Sequence, residues 1–527
     1  MSKQTARCGL VVAMLTAGLV PLVQAHASTP NAYQDYTLGT TGGEPSLGWD
    51  PHYNSGQGAV LYGAGLHVQR VTWDDTQTPA TISTTTVTPP AVVTSLDSIT
   101  VVDQNTHRTF SSQLLAACSR MSYSDDAGAT WNQSTGCGAG TLLDHQTIGS
   151  GPVHAPVTPI NGNDAAYYCA QNGYSEVCAA SVDGGVTFPI ANAATNGAGT
   201  DVDPANPQFT ATGGSCAGLT GHVRVAPNGT AYVPVKGCEG TPSAASPTNY
   251  EYFGGHPALS VSANNGASWS IHAVPDGNNP NLSDPSVGIG RDNTVYFAYH
   301  DGISPTEFTD GPTSSAKVAV SHDNGGTFDA SVNVTPPGVN NIMFPQVIAG
   351  DGDRAAVAFL GTTATGDDQT NAFTGSWDMY VAATYDRGVT WTTVDATPGH
   401  PVQRGCIDMQ GTPNPPQRTD ICSQRNMLDF NDITVDTQGR AIIAYSRGCS
   451  YACGADPTQQ HSTGNADYVL RQSSGRGLYA AYDGVLPGSQ PDAVFAEFPF
   501  AAVLPVAALV AVAAGTAARR RRASEVR

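Results

Sequence analysis

Lys317-Val318-Ala319-Val320-Ser321-His322-Asp323-Asn324-Gly325-Gly326-Thr327-Phe328 is the stretch that decides the fold. Its first four residues read as a strand, and the eight that follow read as the turn of a hairpin. In such a turn the Asp323 carboxylate accepts bonds from backbone N–H groups and the Ser321 hydroxyl adds another. Gly325 takes the positive-φ position that other residues resist. Phe328 then pins the turn to the apolar layer beneath it.

The same pattern, Ser/Thr-x-Asp/Asn-x-Gly-x-Ser/Thr-aromatic, occurs five times. The other copies are Ser124-Asp126-Gly128-Thr130-Trp131, Ser181-Asp183-Gly185-Thr187-Phe188, Ser262-Asn264-Gly266-Ser268-Trp269 and Thr384-Asp386-Gly388-Thr390-Trp391. Successive copies start 57, 81, 59 and 63 residues apart. Their carboxylates read as turn-forming, not catalytic.

A second hairpin recurs upstream of these boxes. Residues 225–233, 289–297, 349–357 and 435–443 align without gaps, each a strand, an Asx/Gly turn and a strand. Looser versions start at Pro45, Ser98 and Pro156. Seven units of two hairpins at a period of about 60 residues predict a β-propeller of four-stranded antiparallel blades. Six blades is the alternative, because the first and last units lack a box. Residues 236–256 and 393–426 break the spacing and read as long loops, where binding function concentrates on a rigid scaffold.

The two ends place this propeller, at residues 44–483, outside a cell. Residues 1–27 carry Lys3 and Arg7, a short apolar run and the small-residue pattern Ala25-His26-Ala27, which reads as a signal peptide. Residues 28–43 read as a flexible lead-in and 484–497 as a stalk. Phe498 to Ala518 carries no charge and precedes Arg519-Arg520-Arg521-Arg522. At 1.5 Å per residue it spans roughly 30 Å, enough to cross a bilayer once with the 519–527 tail cytoplasmic.

Of 43 acidic residues only Glu525 lies outside 28–497, and of 23 basic residues seven do, so that segment carries a net charge of about −26. Such a surface repels nucleic acid and anionic headgroups. It leaves room for a structural or ligand-bridging divalent cation, though no histidine or cysteine spacing marks a metal site. The ten cysteines after Cys8 predict disulfides between sequence neighbours: Cys118–Cys137, Cys169–Cys178, Cys216–Cys238, Cys406–Cys422 and Cys449–Cys453. Sequence alone does not establish that connectivity.

The boxes resemble the Asp-box, or BNR, motif of the sialidase-like propeller superfamily, over about residues 40–484. The resemblance implies the fold and leaves activity open, since such boxes also occur in non-enzymatic propellers. A sialidase needs three arginines for the substrate carboxylate, a tyrosine nucleophile activated by a glutamate, and an aspartate acid/base. The superfamily's first arginine sits in an Arg-Ile-Pro motif, and here Gly43 stands at that place in Gly43-Glu44-Pro45. Arg70, Arg224, Arg404 and Arg425 lack a sialidase context, and Tyr299 and Tyr445 fall at equivalent repeat positions, which suits packing.

The expected function is therefore a monomeric, membrane-anchored surface propeller that binds an extracellular glycan or protein without a cofactor. Its candidate ligand residues lie at the starts of the innermost strands: Glu44, Asp284, Asp432, His154 and His222. The alternative is a sialidase-like glycoside hydrolase or a lyase using paired carboxylates in the same mouth.

Overall fold

A computed structural model of the chain describes residues 30–487 apart from 91–97, 115–118, 136–143, 172–175, 194–215, 239–240, 243–251, 254–255, 276–282, 303–311, 410–421, 423 and 457. The expected signal peptide, membrane helix and cytoplasmic tail lie outside these residues. No helix among them is long and apolar enough to cross a membrane.

Among the described residues the strands form seven antiparallel blades, five of four strands and two of five, and a separate two-stranded ribbon of Thr241–Pro242 with Tyr252–Phe253. The innermost strands are Ser46–Asp50, Ser98–Val102, Asp144–Gly151, Arg224–Val225, Ser286–Ile289, Asn341–Ala349 and Asp432–Val435. Each neighbours the next, and the seventh returns to the first, so the ring is closed at seven and not six. Among the described residues, helix is confined to single turns such as Tyr451–Ala455.

The ring closes with a strand that the sequence pattern does not reveal. After Asp432 the chain supplies blade 7 with only three strands, ending at Ala466–Ser474. Residues 32–41, expected as part of a lead-in, pair antiparallel with that last strand as the blade's outer edge. The lead-in reading fails because an unpaired sheet edge recruits any extended segment that reaches it. The same closure explains why the last unit has no box: its outer strand comes from the other end of the chain. The expected stalk also starts later, since Leu486 is buried and Gly475 donates its N–H to the Pro487 carbonyl at 2.9 Å.

Packing lies between blades. Apolar side chains of facing sheets form a cluster at each seam, for example Tyr296, Val318 and Phe359 between blades 5 and 6. Burying each such aromatic contributes roughly 1.5–3 kcal/mol. The boxes stitch these seams. In the first, Ser124 Oγ donates to Asp126 Oδ1 at 2.8 Å, and Asp126 Oδ1 accepts the Thr130 N–H at 2.7 Å. The Gly128 N–H donates back to Ser124 Oγ at 2.8 Å. Matching bonds recur around Ser181, Ser262, Ser321 and Thr384. Burial pushes the Asp126, Asp183, Asp323 and Asp386 carboxyls up, but the turn's hydrogen bonds outweigh it and hold them below the usual range. Each closing aromatic faces the preceding blade: Trp131 Nε1 donates to the Val87 carbonyl at 2.7 Å, and Trp391 packs edge-on against Tyr296.

Three expected disulfides are present: Cys169–Cys178, Cys406–Cys422 and Cys449–Cys453. Cys216 and Cys238 fall opposite one another in blade 4. Cys118 and Cys137 lie outside the described residues.

Candidate ligand site at the loop-rich mouth

Because strands alternate in direction, the box turns and the hairpins after each innermost strand share one face of the ring. Innermost strands begin at the other face, where the strands Ala231–Cys238 and Thr392–Asp395 end. Buried ionisable side chains concentrate at that loop-rich end of the channel.

His145 Nε2 lies 2.6 Å from Asp284 Oδ2, and Lys236 Nζ lies 3.9 Å from Asp284 Oδ1. His222 Nδ1 is 3.9 Å from Asp432 Oδ1, which also accepts Arg224 Nη2 at 2.8 Å. Phe430 stands edge-on to both His145 and His222, with ring centroids 5.7 and 4.6 Å away. His300 is buried beside Lys236. Burial, and then the charge of Lys236, pushes the His300 imidazole down to about 3. Burial, followed by Arg224 and His145, holds His222 well below its usual value, so both rings are neutral at physiological pH. Rings held neutral in this way resist protonation and offer one N–H donor and one nitrogen acceptor to a polar ligand.

The backbone around this mouth is strained. Glu44, His145, Phe344 and Leu428 have φ of 50, 53, 57 and 59°, and each stands at or near the start of an innermost strand. Non-glycine residues in this region cost about 1–3 kcal/mol each and cluster where a surrounding framework aims side chains at a ligand.

Four of the five expected residues come to this end. Glu44 is buried there, its charge felt by Arg425, whose guanidinium holds Asp429 in two bonds of 2.6 and 2.7 Å. Asp284 and His222 belong to the cluster itself. Asp432 is present in a different role. Its Oδ2 accepts the Leu47 N–H at 3.0 Å, and its Oδ1 accepts the Ile433 N–H at 2.8 Å. At equivalent places Ser46, Thr147 and Ser286 use a side-chain oxygen to accept a backbone N–H of the next blade. Asp432 is thus an inter-blade bridge with its oxygens occupied, which corrects its reading as a ligand contact. Burial outweighs these bonds and raises its carboxyl above the usual value.

His154 does not belong here. Its N–H donates to Asn265 Oδ1 at 2.8 Å and its carbonyl accepts Asn265 Nδ2 at 2.9 Å, inside a box turn on the opposite face. The innermost strand of blade 3 begins at Asp144, well before the expected unit at Pro156, so His145 takes the place assigned to His154. Lys236 and His300 were also missed, although extending the alignment of 225–233 with 289–297 by three residues makes them equivalent.

The arginines weighed for a sialidase have separate commitments. Arg70 donates to the Ala127 carbonyl on the box face, Arg404 to the Gly454 carbonyl, Arg224 to Asp432 and Arg425 to Asp429. Tyr299 donates to Ser331 Oγ at 2.9 Å, and Tyr445 accepts Arg447 Nη2 at 2.9 Å. Among the described residues, no group of three or more His, Cys, Asp or Glu side chains is disposed to hold a metal ion.

No protein-family model and no curated protein matches the chain. Among solved structures it is similar to an ulvan lyase bound to a GlcA–Rha3S repeat, at 9% identity and TM-score 0.43, covering 86% of this chain and 100% of that one. A Penicillium chrysogenum α-L-arabinanase complexed with arabinobiose gives 11% and 0.37, covering 84% and 98%. A Dyadobacter fermentans protein of unknown function gives 11% and 0.36, covering 85% and 98%. Likenesses this remote decide nothing about activity.

Proposed function

We propose that this chain is an exported surface propeller of the sialidase-like superfamily that holds an extracellular glycan over its loop-rich mouth. The observation that carries the proposal is the concentration there of His145, His222, His300, Asp284 and Lys236, all buried. Desolvating so many ionisable groups costs stability, and structures that retain such clusters in a channel mouth generally use them. A spacer between wall and membrane would have no need of them. The charge pattern makes nucleic acid an unsuitable partner, and a helix at 498–518 would tether the propeller to the membrane.

A second reading is catalytic, and the 2.6 Å contact between His145 and Asp284 favours it. An imidazole oriented by a buried carboxylate is the arrangement of a general base, suited to glycoside hydrolysis or to elimination from a uronate. The separate arginines argue against sialic acid release. Incubating the full-length protein with a glycan array, and in parallel with sialosides, aryl glycosides and uronate polymers, separates the readings. Capture without turnover supports a binding module, and new reducing ends or unsaturated products support an enzyme. The absence of both capture and turnover on all of them would refute the glycan assignment.

A further inference from the structure

The opposite, box-side end of the channel has a chemistry of its own. It encloses about 290 Å³ and takes lining residues from all seven innermost strands. In a segment of net charge about −26, its charged lining residues among the described residues are Arg224 and Arg291. Arg224 sits at the inner end, with Nη2 committed to Asp432 and its side chain partly exposed. Arg291 sits at the rim, its guanidinium 3.7 Å above the Tyr479 ring and 3.6 Å from Asp351 Oδ1, with more than half of the side chain exposed. Asn105, also lining the cavity, adds a polar side chain. Arg224 lines this cavity, while Asp432, which it holds, lies 3.9 Å from His222 of the cluster at the other mouth.

We propose that the box-side channel is a second site, binding a small carboxylate of sugar-acid size. A guanidinium matches a carboxylate through paired N–H donors and is weakly hydrated, so a narrow cavity with arginine at both depths selects anions even inside an acidic protein. The volume is of the size of one monosaccharide. The site does not depend on the glycan reading of the loop face.

Calorimetric titration of the full-length protein with D-glucuronate, D-glucose and inorganic sulfate tests it. Saturable glucuronate binding with none for glucose is the expected result. Arg291→Gln, at an exposed position, should weaken glucuronate binding about tenfold while leaving the melting temperature in place, the loss of one charge-assisted contact. Asp284→Asn, at the other mouth, should leave it unchanged. Absence of glucuronate binding, equal binding of glucose, an unaltered affinity in Arg291→Gln, or sulfate binding more tightly than glucuronate would each overturn the assignment.

Discussion

Arg224 reaches across the channel to Asp432, 208 residues away in sequence, and donates Nη2–H to its carboxylate at 2.8 Å. With the Leu47 and Ile433 N–H groups on the same carboxylate, one buried side chain ties blades 4, 7 and 1 together. Breaking a buried pair by removing one partner costs about 3–5 kcal/mol, because a desolvated charge is left behind. Asp432→Ala should lose that much in denaturant unfolding, and Asp432→Asn, which keeps an acceptor, should lose less. A loss below about 1 kcal/mol for the alanine variant would contradict the bridging role.

The box glycines do more than supply a turn conformation. Gly325 has φ of 82°, and a Cβ there would lie 2.9 Å from Leu259 and 3.1 Å from Tyr232 of the preceding blade. Gly338 has φ of 93° with nothing within 4 Å. Gly325→Ala should therefore cost about 2–4 kcal/mol, strain plus overpacking, and Gly338→Ala about 1 kcal/mol. Equal losses in thermal melts of the two variants would show that the seam yields freely.

Asp467 makes the closure seam sensitive to pH. It is buried in blade 7, and desolvation, opposed by Thr40, His67 and Tyr62, pushes its carboxyl up to about 6. The unfolded chain would titrate near 4, so the folded state holds the proton more tightly. That contribution is complete below about pH 4 and is lost as pH rises through 6. The isosteric Asp467→Asn should be more stable than the parent by roughly 2 kcal/mol at pH 8, with the difference vanishing at pH 4. A difference independent of pH would rule out this residue as the source.

How much of this was legible in the sequence follows from what each feature depends on. The boxes and blade hairpins rest on local turn chemistry, which repeats and therefore shows. The closing strand Ala32–Thr41 does not show, because its partner lies more than four hundred residues away and no turn joins them. The candidate mouth was half legible. Asp284, His222 and Glu44 stand where strand starts were expected, while the shifted start of blade 3 moved attention from His145 to His154. Lys236 and His300 sit at strand ends, where a solvated residue and a buried one look alike until the blades are closed.

The closing strand gives a direct check on the ring. Deleting residues 30–41 would leave the Ala466–Ser474 edge unpaired and open the Asn31–Tyr385 and Arg447–Asp35 contacts. The truncated chain should melt at a lower temperature and become susceptible to proteolysis at blade 7 before blades 3 to 5. Unchanged melting and protease resistance would mean that the ring closes without this strand.

Asp284 stands in the middle of the proposed ligand site at the loop-rich mouth, against His145 and Lys236. The most direct measurement is the affinity of Asp284→Asn for whichever glycan the parent protein captures, with the melting temperature recorded on the same sample. A loss of about tenfold or more with the fold retained is expected, because the amide cannot hold His145 and Lys236 as the carboxylate does. An unchanged affinity in a folded Asp284→Asn protein would place the ligand elsewhere.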